Sequence, residues 1–464
     1  MHGEGTIKDD HHGAQRAAAI GLLEPAATGS DELQTRRIHQ VQRRILVVLV
    51  LTQILGGAGV GAGVAIAALS ATRLSGSDVV GGLALMCTAG GAALTAASTP
   101  RIAVRAGRRS ALLVGYLSAV VGAVAAAVAV EIRSWPLLLL GYVPLGAATA
   151  TNLAARYAGT DLAAPHRRGR ALGTVLGATT LGIVIGPNLA DPAQRAAVSA
   201  GLAADSGPYL LCAATFGLAA LGVLAGLRPE PLRLAGRLSA ATDVPAPATR
   251  PSRYWTPHAR LGLATISVAQ LVMVGVMSMA PIHMAHGGAE LRMVGIVISF
   301  HTAGMYALSP VFGCLADRRG RIPVLAGGAA VLAVAFLVAG TAGPHDVARL
   351  SLGLFLLGLG WSASLVSGSA LLVDAVPPAD RPGVQGRADL AVNLSGALGG
   401  SLAGLAMAVT SYAVLNALAA LLAGTVLAAV LGVGRAATRS PVSSRIAPAV
   451  PCGDAAAGAG ACPR

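Results

Sequence analysis

The second half of this chain repeats the first at a constant offset of 213 positions, the separation between Arg105 and Arg318. The repeat runs without a gap from Arg105 to Gly399 and aligns glycine, proline and charged residues at matching points. The aligned pairs are Arg105 with Arg318, Gly107 with Gly320, Arg108 with Arg321, Asp161 with Asp374, Pro165 with Pro378, Arg168 with Arg381, Gly173 with Gly386 and Gly186 with Gly399. In an apolar chain, such a repeat predicts a carrier whose halves move against each other around a site near the middle of a membrane.

The composition places both halves in a lipid bilayer. Of the 464 residues, 54% are hydrophobic and 12% are charged, whereas soluble domains have roughly 25% charged residues. Apolar runs of the length that crosses a bilayer recur along the chain. We therefore predict an all-α polytopic membrane protein with twelve transmembrane helices in two pseudo-symmetric six-helix bundles. The predicted bundles are 44–228 and 258–434, joined by a proline-rich cytoplasmic linker at 229–257 and flanked by disordered cytoplasmic tails at 1–43 and 435–464.

The distribution of charge predicts the orientation and excludes several functions. The net charge is +14, but the arginines lie in short loops that alternate between arginine-rich and arginine-poor, which places both termini in the cytoplasm and argues against nucleic-acid binding. Lys8 is the only lysine, so the chain contains no Walker A motif for ATP hydrolysis. No cofactor, metal or disulfide spacing is present. The abundance of arginine, alanine and glycine favours a bacterial plasma or inner membrane.

A nine-residue segment in the basic loop after the eighth predicted span has the sequence Gly313-Cys-Leu-Ala-Asp-Arg-Arg-Gly-Arg321. It resembles the loop signature of the major facilitator superfamily, G-x-L-A-D-R-x-G-R, at every fixed position. With the twelve spans, the repeat and the linker, the resemblance covers about residues 44–434 and implies a monomeric secondary transporter of that fold. It also implies that Asp317 engages the start of the fifth span and braces the cytoplasmic side. The expected latch residues are Asp317, Arg318, Gly320, Arg321, Arg105, Gly107, Arg108, Arg168 and Arg381. The alternative is that these arginines only set the topology.

The first copy of this loop departs from the signature. The aspartate position holds Val104, and the leading glycine position holds Pro100. Because Asp380 and Asp389 lie near the start of the eleventh span, we expect a charge exchange in which the first basic loop, with Arg105, Arg108 and Arg109, pairs with these acids.

The fifth span carries a second motif. Gly173, Gly182, Gly186 and Pro187 match the spacing of the superfamily's antiporter motif, G(x)8G(x)3GP(x)2GG, although its final glycine pair is absent. In the family, the motif is associated with exporters that exchange their substrate for protons, so the resemblance favours the drug/proton antiporter branch. Small residues at this spacing let helices approach closely in lipid, either as static packing or as a sliding surface.

A proton-coupled carrier needs a titratable group within the membrane. His301, in the eighth span, is the ionisable residue furthest inside an apolar run, and imidazole protonates reversibly near neutral pH. A neutral, hydrogen-bonded histidine is the alternative. Asp389 is the second candidate, and its place near the cytoplasmic end favours a gate over a relay.

The remaining polar and aromatic residues within the spans are candidates for lining a central cavity: Gln53, Asn152, Gln270, Met273, Tyr306, Trp361 and Asn393. Each could instead serve helix packing. They carry no charge, which favours a small neutral or lipophilic substrate. We therefore predict proton-coupled export of such a compound by alternating access. The alternative is a proton-coupled or facilitated importer of a small nutrient on the same fold. An enzyme is not expected, because the chain shows no nucleophile–base arrangement.

Overall fold

The computed structural model describes residues 29–240, 256–288, 291–377 and 380–439, which are helical apart from short connections. Fourteen α-helices follow in chain order within these ranges: α1 Gly29–Ser75, α2 Asp78–Glu131, α3 Trp135–Leu145, α4 Ala147–Ala158, α5 Arg168–Ser199, α6 Ser206–Gly226, α7 Pro231–Ala240, α8 Pro257–His286, α9 Leu291–Tyr306, α10 Ser309–Arg319, α11 Arg321–Gly340, α12 Val347–Asp374, α13 Arg381–Val409 and α14 Tyr412–Arg439. Helices are the expected solution, because backbone groups in a bilayer must be bonded within their own segment.

The number of membrane crossings agrees with the expected twelve. In the described residues, eleven helices are long and apolar enough to cross a membrane. One of them, Val79–Glu131, has 53 residues and would extend about 80 Å as a continuous helix. That length is more than twice the roughly 30 Å hydrocarbon core, and the segment contains two predicted spans. Its helical geometry is broken at Gly107.

Gly107 and Gly320 end the signature loops of the two halves with the same backbone conformation. Their φ and ψ angles are 88° and 171° for Gly107, and 95° and 159° for Gly320. L-residues with a side chain rarely adopt such positive φ values, so the repeat preserves glycine at a point where each half turns between spans. At Gly107, the carboxylate of Glu230 accepts the free backbone N–H of Arg108 at 2.6 Å.

The ends of the bundles differ from the expected boundaries. Helix α1 begins at Gly29, so part of the predicted tail 1–43 is helical, and α14 continues to Arg439. Within the predicted linker 229–257, α7 forms because Glu230 also accepts the backbone N–H of Arg233 at 2.6 Å and because Leu232 becomes buried. Residues 1–28, 241–255 and 440–464 of the predicted tails and linker lie outside the described residues.

Each half has its own large buried apolar cluster, and the two halves meet over a limited set of helices. The first cluster includes Tyr116, Tyr142 and Phe216, and the second includes Phe336 and Trp361. Between the bundles, α5 packs on α10 and α2 packs on α13, with smaller contacts of α13 with α4 and of α5 with α9 and α12. These contacts adjoin the end of the molecule that carries the arginine-rich loops around Arg108, Arg168, Arg321 and Arg381, which we call the basic face.

Candidate transport site

A chamber lies between the two bundles. It encloses about 650 Å³ of empty space, part of it continuous with solvent, and its walls come from α1, α4 and α5 of the first half and α8, α9, α12 and α13 of the second. All seven residues predicted to line a cavity are found in these walls: Gln53, Asn152, Gln270, Met273, Tyr306, Trp361 and Asn393. Among the described residues that line the chamber, none is charged. Which of them contact a substrate stays a prediction.

Amide groups on the first-half wall are held in a hydrogen-bonded network. The Gln53 side-chain nitrogen donates to the Asn152 carbonyl oxygen and to the Thr179 hydroxyl, both at 3.1 Å. The Tyr116 hydroxyl donates to the Asn152 side-chain oxygen at 2.8 Å. In contrast, the Gln53 side-chain oxygen is buried without a partner. This oxygen is an acceptor that a donor group on a bound molecule could satisfy.

The second-half wall combines aromatic rings with amides. The Tyr306 and Trp361 rings meet edge to face with their centroids 5.8 Å apart. The indole N–H of Trp361 donates to the Gln270 side-chain oxygen at 2.7 Å, which fixes both side chains. Met273 supplies an adaptable apolar surface beside them. The two walls together can accept a compound with an apolar ring system and a few uncharged polar groups.

An ion pair lies one helical turn from the chamber on the side of the basic face. Arg156 of α4 donates from Nη2 to Asp389 Oδ1 of α13 at 2.8 Å, and the side chains are 1% and 6% exposed. Arg156 also donates to the Tyr157 hydroxyl at 3.0 Å and to Ser369 at 3.3 Å. Because its partners come from both bundles, the Arg156 guanidinium joins the two halves beneath the chamber.

His301 is not brought to the chamber. Its ring is fully buried between α9 and α12, and Nδ1 lies 2.8 Å from the Leu354 carbonyl oxygen. Nε2 has no partner. This environment corresponds to the alternative of a neutral, backbone-bonded histidine, and proton coupling by His301 stays an untested prediction.

On the basic face, Asp317 makes the contact that the loop signature implies. Its two carboxylate oxygens accept the backbone N–H groups of Gly169 and Arg170 at 2.9 and 2.7 Å. These groups belong to the first turn of α5, where the helix dipole favours an anion. Arg321 bonds to Asp317 in the same loop and to Asp374 at 3.3 Å.

The expected pairing of Arg108 with Asp389 is wrong for this conformation. Arg108 instead holds Asp161 with two hydrogen bonds, at 2.9 and 3.3 Å, and also contacts the Gln385 side-chain oxygen. The reason is geometric: Asp161 lies in the same half, and Asp389 lies one turn further along α13 than Gln385, where Arg156 reaches it. Arg108–Asp161 is therefore the repeat counterpart of Arg321–Asp374.

The other latch candidates differ in their environment. Arg168 pairs with Asp374 across the bundles at 2.6 Å, and Arg381 is buried beside Asp161. Arg105 and Arg318 are exposed. A latch role for any of them stays a prediction.

The glycines of the antiporter-like motif allow two different close approaches. A Cβ added at Gly173 would overlap the carbonyl oxygen of Ser309 on α10 of the other bundle. Gly182 and Gly186 face α1 of the same bundle, where a Cβ would overlap the backbone oxygens of Ile54 and Ala58. Gly173 therefore belongs to the interface between bundles, and the other two glycines hold α5 within its own bundle.

Sequence reasoning missed Arg156 and Gln385 as functional candidates, and it treated Asp161 and Asp374 only as markers of the repeat. The repeat itself contained a signal for the two aspartates, because acidic residues at equivalent loop positions can pair with the equivalent Arg108 and Arg321. Arg156 carried no such signal, since its repeat counterpart is Ser369 and it lies at the end of a span.

Comparisons with known proteins agree with this architecture. A family model described as the Major Facilitator Superfamily matches residues 263–455. The chain is 38% identical over 386 residues to YdeG of Bacillus subtilis (strain 168), an uncharacterized MFS-type transporter, covering 82% of this chain and 89% of YdeG. It is 27% identical over 347 residues to the riboflavin transporter RfnT of Brucella anthropi, covering 75% and 85% respectively.

Among solved structures, FucP, a major facilitator superfamily transporter in the outward conformation, matches with a TM-score of 0.63 and 15% identity over 83% of this chain and 98% of FucP. At this identity the likeness concerns the fold alone. The membrane-crossing helices, the chamber between two repeated bundles and the extent of the YdeG match lead to one conclusion: the chain belongs to the major facilitator superfamily and is a multi-pass membrane transporter, not an enzyme.

Proposed function

We propose that this secondary transporter exports a small neutral or lipophilic compound in exchange for protons. The observation that carries the proposal is an uncharged chamber lying one helical turn from a buried ion pair that joins the two bundles. The basic face would lie in the cytoplasm of a bacterial cell, together with both termini. The chamber is then closed toward the cytoplasm in this conformation.

The substrate class follows from the chamber walls. A compound with a net charge would find no opposite charge among the described lining residues, so it would lose hydration without compensation. A neutral compound can pack on Tyr306, Trp361 and Met273 while bonding to the amides of Gln53 or Asn152. A few polar groups in an apolar cavity fix the orientation of a ligand without holding it too tightly for release.

Proton coupling is proposed to run through Asp389. Its side chain is paired with Arg156 while the basic face is closed. Protonation of Asp389 from the chamber side would remove its charge, weaken the pair and allow α4 and α13 to separate. Release of the proton to the cytoplasm would let the pair form again as the loaded carrier turns outward. Proton entry is then exchanged for substrate export, because the empty carrier opens toward the cytoplasm only when Asp389 is protonated.

The export direction is supported by the glycine motif of α5, which resembles that of proton-driven exporters. Import is the second candidate, and one observation favours it: RfnT, which is 27% identical to this chain, is described as a riboflavin transporter. A neutral, ring-containing nutrient would fit the same chamber walls.

Transport assays in membrane vesicles separate these candidates. Inside-out vesicles that contain the full chain and are acidified inside should take up a neutral dye faster than vesicles without it, and a protonophore should abolish the difference. Asp389→Asn should lose this proton-driven uptake, whereas Asp191→Asn, an exposed matched control, should retain it. Uptake of labelled riboflavin into right-side-out vesicles, driven by an inward proton gradient, would support import instead. Dye exchange that is unchanged by the protonophore would exclude proton coupling.

A further inference from the structure

A crevice on the basic face, separate from the chamber, lies between the first and second halves. It encloses about 700 Å³ of empty space, part of it open to solvent. Arg168 of α5, Arg381 of α13 and His39 of α1 contribute to its walls, together with one carboxylate, that of Asp161. Leu162 and neighbouring alanines form an apolar side.

Arg381 is the unusual residue of this crevice. The residue is 3% exposed, yet its Nε and Nη1 atoms have no hydrogen-bond partner. Buried donors without a hydrogen-bond acceptor are unfavourable. The nearby carboxylates of Asp161 and Asp374 leave these two donors without an acceptor, so a further acceptor could bind there.

The repeat explains why the guanidinium of Arg381 is left over. Its counterpart Arg168 pairs with Asp374 at 2.6 Å. The aspartate equivalent to Asp374 is Asp161, but both oxygens of Asp161 are already bonded to Arg108. The charges that act most strongly on Arg381 are Arg168, Asp161, Arg108 and Asp374, and both carboxylates among them are engaged. Neither carboxylate therefore accepts a hydrogen bond from Nε or Nη1 of Arg381.

We propose that this crevice binds a phosphate group between Arg381 and Arg168. Arginine is the side chain best suited to phosphate, because its planar guanidinium donates several hydrogen bonds at once. Basic pockets between membrane helices on the cytoplasmic side accept phospholipid head groups, and the apolar side at Leu162 can contact the adjoining glycerol or acyl chain. A free phosphate ion shares the same chemistry. Because the two arginines belong to different bundles, the bound group stabilises the closed basic face.

The test uses the purified full chain in detergent, with its melting temperature as the measurement. Phosphatidylglycerol should raise the melting temperature of the wild type, because a ligand that binds only the folded state stabilises it, whereas phosphatidylcholine should not. Arg381→Gln should weaken the apparent affinity for phosphatidylglycerol at least tenfold, and Arg381→Lys should weaken it less. Arg319→Gln, which removes an exposed arginine from the same face, is the matched control and should bind as the wild type does.

The source of the phosphate group is decided in parallel titrations. Stabilisation by phosphatidylglycerol but not by inorganic phosphate identifies a lipid, and stabilisation by inorganic phosphate alone identifies a soluble anion; either result supports the site if Arg381→Gln removes it. Absence of stabilisation of the wild type by both probes overturns the proposal, even if Arg381→Gln cannot be purified. An equal loss in Arg319→Gln overturns it too, because the effect would then reflect the charge of the face. None of these outcomes depends on the direction of transport.

Discussion

Burial determines what Arg156 and Asp389 can do for the protein. With side chains 1% and 6% exposed, neither charge can be satisfied by water while the basic face is closed. Removal of one partner from a buried pair leaves the other uncompensated and typically costs about 3–5 kcal/mol, whereas removal of both is often neutral. The pair is therefore a connection that depends on the charge of a single carboxylate.

The double substitution Arg156→Gln with Asp389→Asn tests this dependence. Asp389→Asn alone should lower the free energy of unfolding by about 3–5 kcal/mol, and the double variant should recover at least half of that loss. Asp191→Asn with Arg195→Gln removes an exposed pair and should change stability by less than about 1 kcal/mol. The measurement is chemical denaturation in detergent, followed by transport assays. Transport that still depends on the proton gradient in the double variant would argue against Asp389 as the coupling group.

The residues of the chamber were more predictable than the ion pair. Polar side chains such as Gln53 and Asn393 stand out in apolar spans because each needs a partner or a ligand, so their presence in the sequence carried information about position. Arg156 lies where a span ends. In the sequence, an arginine at that place that only sets the topology cannot be distinguished from one that is buried between the two bundles. His301 stood out for the same reason as Gln53, yet it lies outside the chamber, where a backbone oxygen accepts only its Nδ1.

At the level of helices, α5 serves two partners with two sets of glycines. Gly169, Gly173 and Gly177 follow one another at intervals of four and face α10 or the end of α9, whereas Gly182 and Gly186 face α1. The sequence predicted close packing for α5 but could not assign its two faces. In α13, Gly386 approaches Pro100 of the other bundle and Gly399 approaches the Leu271 carbonyl oxygen of α8, whereas Gly404 faces open space.

Gly173→Ala should favour opening of the basic face. The added methyl group would overlap the carbonyl oxygen of Ser309 in the other bundle, and overpacking of this kind costs about 1–3 kcal/mol. The substitution Asn152→Cys, in a background without the native cysteines, places a reporter thiol in the chamber wall. This thiol should then react at least fivefold faster with a maleimide added from the basic side. Gly217→Ala, in α6 with open space around the glycine, is the control and should leave the rate unchanged. Equal rates in both variants would mean that α5 and α10 do not form a moving interface.

At the scale of the whole molecule, the two halves close the basic face by different means. In the second copy of the loop, Asp317 accepts the backbone N–H of Gly169. In the first copy, the acceptor position holds Val104, and the repeat equivalent of Gly169 is Pro382, which has no N–H to donate. Both members of this hydrogen bond are therefore missing from the first copy, although the equivalent of the second donor, Arg170, is Gly383 and keeps its N–H. The Arg108–Asp161–Gln385 cluster holds that side instead. The repeat predicted the fold of both halves but not this division of roles.

Full restoration of the missing latch requires two substitutions. Val104→Asp alone should restore only one of the two hydrogen bonds, from the backbone N–H of Gly383, which is the repeat equivalent of Arg170. Val104→Asp with Pro382→Gly should stabilise the closed state by about 1.5–3 kcal/mol more, the range of a hydrogen bond to a charged group. Maleimide labelling of the position-152 cysteine from the basic side should fall at least tenfold in the double variant. Pro382→Gly alone is the control for the loss of the proline ring. Equal stabilisation by Val104→Asp alone and by the double variant would show that Pro382 does not limit the latch.

Arg156 donates a hydrogen bond to Ser369. Ser369 lies 213 positions later and is therefore the residue equivalent to Arg156 in the second half. Only a residue near the pseudo-two-fold axis can touch its own copy. Both residues are fully buried, and the short serine side chain leaves room for the one guanidinium beside it. The repeat equivalent of Asp389 is Leu176, so if Asp389 is the coupling group, its single carboxylate carries one proton at this position in each cycle.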